Sequence, residues 1–332
     1  MSLNTELLIT LQQIKGLGNK TILQYAQSAN VHSLDEMMAH LKTIKRGRLS
    51  GITDQNLTEA NRIAQRIIER SQEEGIGILS YFESSFPQQL HRCVDEKGVE
   101  KPPIVLYYRG NLEVLKNKGI AVIGSREPTN TGIKAGTYFT KELARNGFNI
   151  ISGLAVGCDT YAHQGALLAE GVTTAILSTG LNWDAIYPKE NLPLAQEIID
   201  NGGLLLSEYY TGQKSDRFTF VERDRIQAGL AIATIVIQTG IKGGTMHAVH
   251  ATIHSKKPLY AVKYKLNEDL QHLNVQGNKM LIDTNMATPI TSSNLASIIK
   301  KLDQGFHTNP INKENTLFEL LKFPTPSYQL FE

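Results

Sequence analysis

The sequence predicts an α/β protein: an extended Rossmann-like, doubly wound and mostly parallel sheet, preceded by a small helical domain. Three observations carry this. After Gly119, six short β-rich runs alternate with helix-length stretches, and strands alternating with helices build βαβ units around a parallel sheet. Each run ends in glycine or small polar residues, as chain turning out of a sheet into a helix must. The first 75 or so residues instead place apolar side chains at three- and four-residue spacing and carry little strand character.

Taken in order, residues 1–75 hold Leu7, Leu11 and Ile14, then Ile22, Tyr25 and Ala26, then Ile63, Ile67 and Ile68 on helical periods. Between the first two patterns lies Ile14-Lys15-Gly16-Leu17-Gly18, followed by Lys20. Gly16 and Gly18 permit a sharp turn and leave backbone N–H groups bare where the next helix starts. The stretch resembles a helix-hairpin-helix (SAM-like) DNA-binding unit; the other reading is a tight connection inside a helical bundle. Residues 76–104, with Tyr81, Phe82, Phe86 and a polar run from Asp95 to Pro103, read as a connecting segment. Residues 105–300 form the Rossmann-like domain, with runs at Ile120–Ile123, Phe148–Ile151, Val172–Leu177, Leu204–Leu206, Ile232–Ile237 and Leu259–Val262. Residues 301–332, with Pro310, Pro324 and Pro326, are a C-terminal tail.

With 332 residues, 34 Lys+Arg against 32 Asp+Glu, and a net charge of +2, bulk electrostatics cannot drive binding to a polyanion, so any such site must be local. Lys42, Lys45, Arg46 and Arg48 form one basic patch and Lys256, Lys257, Lys263 and Lys265 another; either also reads as a solvated face. No apolar stretch approaches the roughly 20 residues of a membrane span, and the N-terminus lacks a signal-peptide pattern. A cytoplasmic protein without membrane association is expected. Cys93 and Cys158 are too few for a disulfide framework.

In a doubly wound sheet, ligands bind outside the carboxyl ends of the strands. The residues there are Gly124, Ser125 and Arg126; Ser152, Gly153, Gly157 and Asp159; and Lys242, Gly243, Gly244 and Thr245. Small residues with free N–H groups plus two cations suit phosphate. Phe218, Phe220, Arg223 and Arg225 interleave aromatics with arginines, as a site that stacks bases and pairs with phosphates requires; the alternative for the arginines is pairing with Asp216, Glu222 or Asp224 on a helix surface. His247, His250 and His254 share helical spacing but match no metal-ligand pattern, and neither GxxxxGK nor GxGxxG occurs. No cofactor or metal is expected.

The ordered motifs are similar to those of the DNA-processing protein A (DprA, or Smf) family. They are Ala121 to Arg126, Ser152 to Asp159 with Ala162 to Leu167, Ile186-Tyr187-Pro188 with Asn191, Gly202 to Glu208, Arg223 to Ile226 with Gly229-Leu230, and Gly277 to Ile282. The resemblance covers roughly residues 105–290. It implies a non-enzymatic protein that binds and protects single-stranded DNA, passes it to a RecA-type recombinase during DNA uptake, natural transformation and homologous recombination, and dimerises through the Rossmann domain. The chain departs from the family pattern at Val156 (usually Arg), Asp224 (usually Asn), Gln238-Thr239 and the Lys242–His247 loop. These changes leave a phosphate site whose ligand, and whose role in transformation or in phage defence, can have shifted.

The competing reading is a nucleotide sensor or a phosphoribohydrolase-like enzyme on a related Rossmann fold, which Gly243-Gly244-Thr245 resembles. That chemistry needs a glutamate soon after the threonine, and Met246 to His250 supply none.

Overall fold

The computed structural model describes residues 3–307. The chain opens with α1 (Thr5–Gln12), α2 (Asn19–Ser28), α3 (Leu34–Thr43) and α4 (Asp54–Glu73), then enters the sheet through β1 (Gly77–Ser80) and β2 (Val105–Gly110). The winding follows as β3 (Gly119–Ile123), α5 (Asn130–Arg145), β4 (Asn149–Ser152), α6 (Cys158–Leu167), β5 (Thr173–Leu177), α7 (Leu192–Asp200) and β6 (Leu204–Ser207). It continues with α8 (Arg217–Leu230), β7 (Ala233–Val236), α9 (Thr245–His254), β8 (Leu259–Val262), α10 (Asn267–Gln271), α11 (Leu273–Asp283), β9 (Thr288–Ile290) and α12 (Leu295–His307).

The strands form one nine-stranded sheet in the order β1-β2-β6-β5-β4-β3-β7-β8-β9. From β6 to β9 every pairing is parallel; β1 and β2 add an antiparallel edge. The expected fold is thus present, and each of the six β-rich runs matches a strand to within one residue at either end. Every residue of β3 to β8 is buried, which explains their near-continuous Val, Ile, Leu and Ala content: helices cover both faces of a parallel sheet. Two of the winding helices start at side-chain caps, with Thr129 accepting from Gly132 N–H for α5 and Asp216 from Phe218 and Thr219 N–H for α8.

Three features correct the sequence reading. The connecting segment 76–104 contains β1, hidden because Gly75 and Gly77 read as loop. Gly77 is there for a close approach: the Tyr108 ring occupies the space that any side chain at 77 would need. The helical segment is no isolated module. Leu8, Leu11, Ile22 and Leu57 share one apolar cluster with Val105, Tyr107, Leu177 and Leu205 of the sheet. Polar links join the same parts, with Arg109 Nη2 3.5 Å from Glu74 Oε2 at the end of α4 and Ser71 Oγ 3.3 Å from Thr211 Oγ1. Finally, the 300/301 boundary falls inside α12, while Pro310, Pro324 and Pro326 lie outside the described residues. Among the described residues, no helix is long and apolar enough to cross a membrane.

Candidate functional site

The chain leaves β3 into α5 and leaves β7 into α9, and these neighbouring strands mark the point where the strand order reverses. A crevice opens there, outside the carboxyl ends. It has a volume of about 810 Å³ and is lined by Gly124, Ser125, Arg126, Asp159, Arg223, Lys242, Gly243, Gly244 and Thr245 among others.

The first wall is the loop after β3. Ser125 N–H donates to Gln238 O at 2.7 Å and Cys158 N–H to Ser125 O at 3.0 Å, tying this loop to the end of β7 and the start of α6. Gly124 packs against Cys158 and Gln238, leaving no room for a side chain. Arg126 projects exposed, its guanidinium carbon 5.2 Å from the centre of the Phe220 ring, within cation–π range. Phe220 meets Tyr187 edge-on, centroids 5.8 Å apart. Gly157, at φ +85°, lies against the Arg126 carbonyl, so a glycine there sets where Arg126 emerges.

The opposite wall is the turn into α9. Gly243 has φ +146°, Gly244 caps the helix without a side-chain bond, and Thr245 begins it. The exposed Lys242 thus stands beside the uncapped, positive end of a ten-residue helix.

The floor differs from expectation. Ser152 is fully buried and donates its Oγ proton to Val122 O. Asp159 Oδ2 accepts from Gly153 N–H at 3.1 Å and Ala155 N–H at 3.3 Å, so it occupies N–H groups that a phosphate would otherwise take. These residues, with Gly153, brace the cleft from beneath. Leu154, at φ +60°, shows how tightly that loop is wound. Arg223 lies across Gly153, 6% exposed, with Nη1 donating to Ile176 O at 3.1 Å. Its Nε is 3.2 Å from Asp224 Oδ1 but lacks hydrogen-bond geometry. Burial pushes Asp224 up to about 7, Arg223 opposing and Asp159 reinforcing the shift; burial also raises Asp159.

Arg225 does not join this site. Residues two apart on a helix face away from each other, and Arg225 points out of the far side of α8. There it is 2% exposed and forms a two-pronged pair with Glu208 at 2.6 and 2.7 Å, with Nε donating to Lys101 O. It lines a separate groove of about 1030 Å³, shared with Gly18 and Lys20 from α2. Gly16, at φ +86°, lines a third hollow with Lys15 and Arg48. The N-terminal hairpin therefore faces two grooves and never meets the cleft. In the basic patches, Lys42 pairs with Asp54, and Lys257 is half-buried with its ammonium on the carbonyls of Ala228 and Gly229 at the end of α8. No group of His, Cys, Asp and Glu among the described residues is placed to hold a metal ion.

Tyr187, Gln227 and His247 also line the cleft and were not singled out as site residues. Tyr187 follows β5 within the Ile186-Tyr187-Pro188 motif, a readable signal; Gln227 and His247 carry no sequence signal, since only the packing of α8 against α9 brings them in.

Comparison with known proteins adds the following. The family model for DNA recombination-mediator protein A matches residues 77–303. The Smf protein of Synechocystis sp. is 33% identical over 245 residues, an alignment spanning 70% of this chain and 58% of that protein. DNA processing protein DprA of Streptococcus pneumoniae is 34% identical over 206 residues, 61% of this chain and 70% of its own length. Its X-ray structure superposes with a TM-score of 0.70 at 27% identity, covering 90% of this chain and 98% of that one. The Helicobacter pylori protein of the same name, whose structure describes a single-stranded DNA binding mode, superposes with a TM-score of 0.58 at 28% identity, covering 69% and 96%.

Proposed function

The chain belongs to the DNA recombination-mediator protein A family, and from that premise we propose that it binds single-stranded DNA in the cleft between β3 and β7. One observation carries the reading: an exposed arginine held over an aromatic ring at the mouth of a cleft whose far wall is an uncapped helix start with a lysine beside it. A single strand needs a cation for each phosphate and a ring for each base. Arg126 and Lys242 supply the first, Phe220 and Tyr187 the second, and the bare N–H groups of the Gly243–Thr245 turn add neutral donors to phosphate. Duplex DNA, whose bases are stacked away, gains nothing from the aromatic wall. Ser152, Gly153, Gly157, Asp159 and Arg223 shape the site from below.

The role proposed is that of a carrier, which shields the strand and delivers it to a RecA-type recombinase in DNA uptake and recombination, acting as a homodimer in the cytoplasm and without catalysis. Asp159 and Asp216 each hold two backbone N–H groups through one carboxylate oxygen, a structural use of both side chains. The test is a titration of a fluorescent oligonucleotide, single- against double-stranded, over a range of salt. Single strand should bind more tightly, with a log–log salt slope of about −0.7 per phosphate contacted. Tighter duplex binding, or release of free base from nucleoside monophosphates, would overturn the reading.

A further inference from the structure

The cleft side of α8 carries a stripe that phosphate recognition does not need: Phe220, Asp224 and Gln227 all line the cleft. Residues three and four apart share a helix face, so the positions bearing ring and carboxylate sit about one turn, roughly 6 Å, apart along α8. Asp224 Oδ1 accepts from Gln227 Nε2 at 3.0 Å. Oδ2 accepts from no described residue, and Oε1 of Gln227, itself 2% exposed, also lacks a donor. A carboxylate repels phosphate and only accepts hydrogen bonds. Beside a stacking ring, it fits a donor-bearing base edge.

Nucleobases differ in what they offer such a group when their edges are splayed out from a single strand. Guanine presents two adjacent donors, N1–H and the N2 amino group. Cytosine and adenine present one amino group each, and thymine presents one N–H flanked by two carbonyl oxygens that a carboxylate repels. Resting on the reading of this cleft as a single-stranded DNA site, we propose that Asp224 reads the Watson–Crick edge of a guanine stacked on Phe220, making the cleft guanine-selective. Only the ionised carboxylate accepts both donors. The charged or titratable groups lining the cleft with Asp224 are Arg217 and Arg223 on α8 and Asp216 at its cap, Asp159 on α6, Arg126 after β3, Tyr187 after β5, Lys242 before α9 and His247 on it; with Asp224 held near 7, the selectivity strengthens as pH rises through neutrality.

The experiment displaces a fluorescent oligothymidylate from the full-length protein with dGMP, dAMP, dCMP or dTMP. At pH 8, dGMP should compete at about tenfold lower concentration than dTMP, with dAMP and dCMP between, a ratio typical of one well-made bidentate contact. The advantage should shrink several-fold at pH 6. Asp224→Asn replaces one acceptor by a donor at constant shape; it should bring dGMP to within about twofold of dTMP while tightening oligothymidylate binding, because a negative charge leaves the cleft. Equal competition by all four nucleotides, or an Asn variant that keeps the guanine advantage, overturns guanine reading and leaves strand binding standing. A parent protein that does not bind oligothymidylate, or an Arg126→Ala variant that binds it undiminished, overturns the strand-binding reading itself.

Discussion

Arg223 and Arg225 stand two residues apart on one helix and lead opposite lives. Arg225 is satisfied by protein: both terminal nitrogens grip Glu208, and Nε meets the Lys101 carbonyl. Arg223 has one hydrogen bond to a backbone carbonyl, carboxylates at 3.2 and 3.9 Å without hydrogen-bond geometry, and a cleft above it. The difference teaches how to separate a structural from a functional face. Where the protein has filled a guanidinium's donors, the residue holds the fold together; where it leaves them unspent beside open space, the surroundings are arranged for something that is not protein.

The sharpest way to break this contrast is to remove the carboxylate from the satisfied side. Glu208→Gln removes the two-pronged counter-ion of the buried Arg225 and leaves only Glu222 at 3.9 Å, and the expected cost is about 3–5 kcal/mol of stability, seen as a fall in the denaturation midpoint, with strand affinity unchanged well below it. A Glu208 variant of normal stability and weakened binding would place DNA on the wrong face of α8. On the open side the effect should reverse. Arg126→Ala should cost at least about tenfold in single-strand affinity, or about 1.5–3 kcal/mol for a charge-assisted bond, and should leave the melting temperature within a degree or so. A lowered melting temperature with intact binding would make Arg126 a loop brace.

The floor between the faces gives a pH-dependent test. The carboxyl of Asp224 is held above its ordinary value by burial, so the stability it contributes is complete below about pH 4 and is lost as pH climbs through about 7. Asp224→Asn should therefore raise stability at pH 8, on the order of 1–2 kcal/mol, and change little at pH 4. Paired thermal melts at the two pH values check this, and a stabilisation equal at both would remove the titration from the account. The smallest effect is expected from Lys242→Ala, an exposed point charge: a loss of about 1 kcal/mol or less in affinity, with a salt slope shallower by about 0.7. An unchanged slope would show that Lys242 touches no phosphate.

The sequence revealed the parallel sheet because burial on both faces demands continuous apolar runs, and those can be read directly. It concealed β1, β2 and β9 for separate reasons. β1 begins with glycine, β2 loses its burial at Tyr108-Arg109-Gly110, and β9 is three residues long. At the site, the glycines and cations of the strand ends were legible, since turns and phosphates leave a compositional trace. The phase of α8 was not. Which of two arginines faces the cleft depends on Glu208, in the loop just after β6, and on Asp159, whose side chain turns inward to its own loop. Interleaved aromatics and arginines give the ingredients of a site but not their direction.

The cluster that joins the N-terminal helices to Val105, Tyr107 and Leu205 has a thermodynamic consequence. Burying the sheet edge under those helices makes neither part whole without the other, so heat should dissolve them together. Calorimetry should record a single endotherm whose van 't Hoff and calorimetric enthalpies agree. Cutting the chain after residue 75 would strip the cover from Ile76, Val105 and Tyr107, all buried in the intact protein, leaving a sheet with a raw apolar margin in place of a second domain.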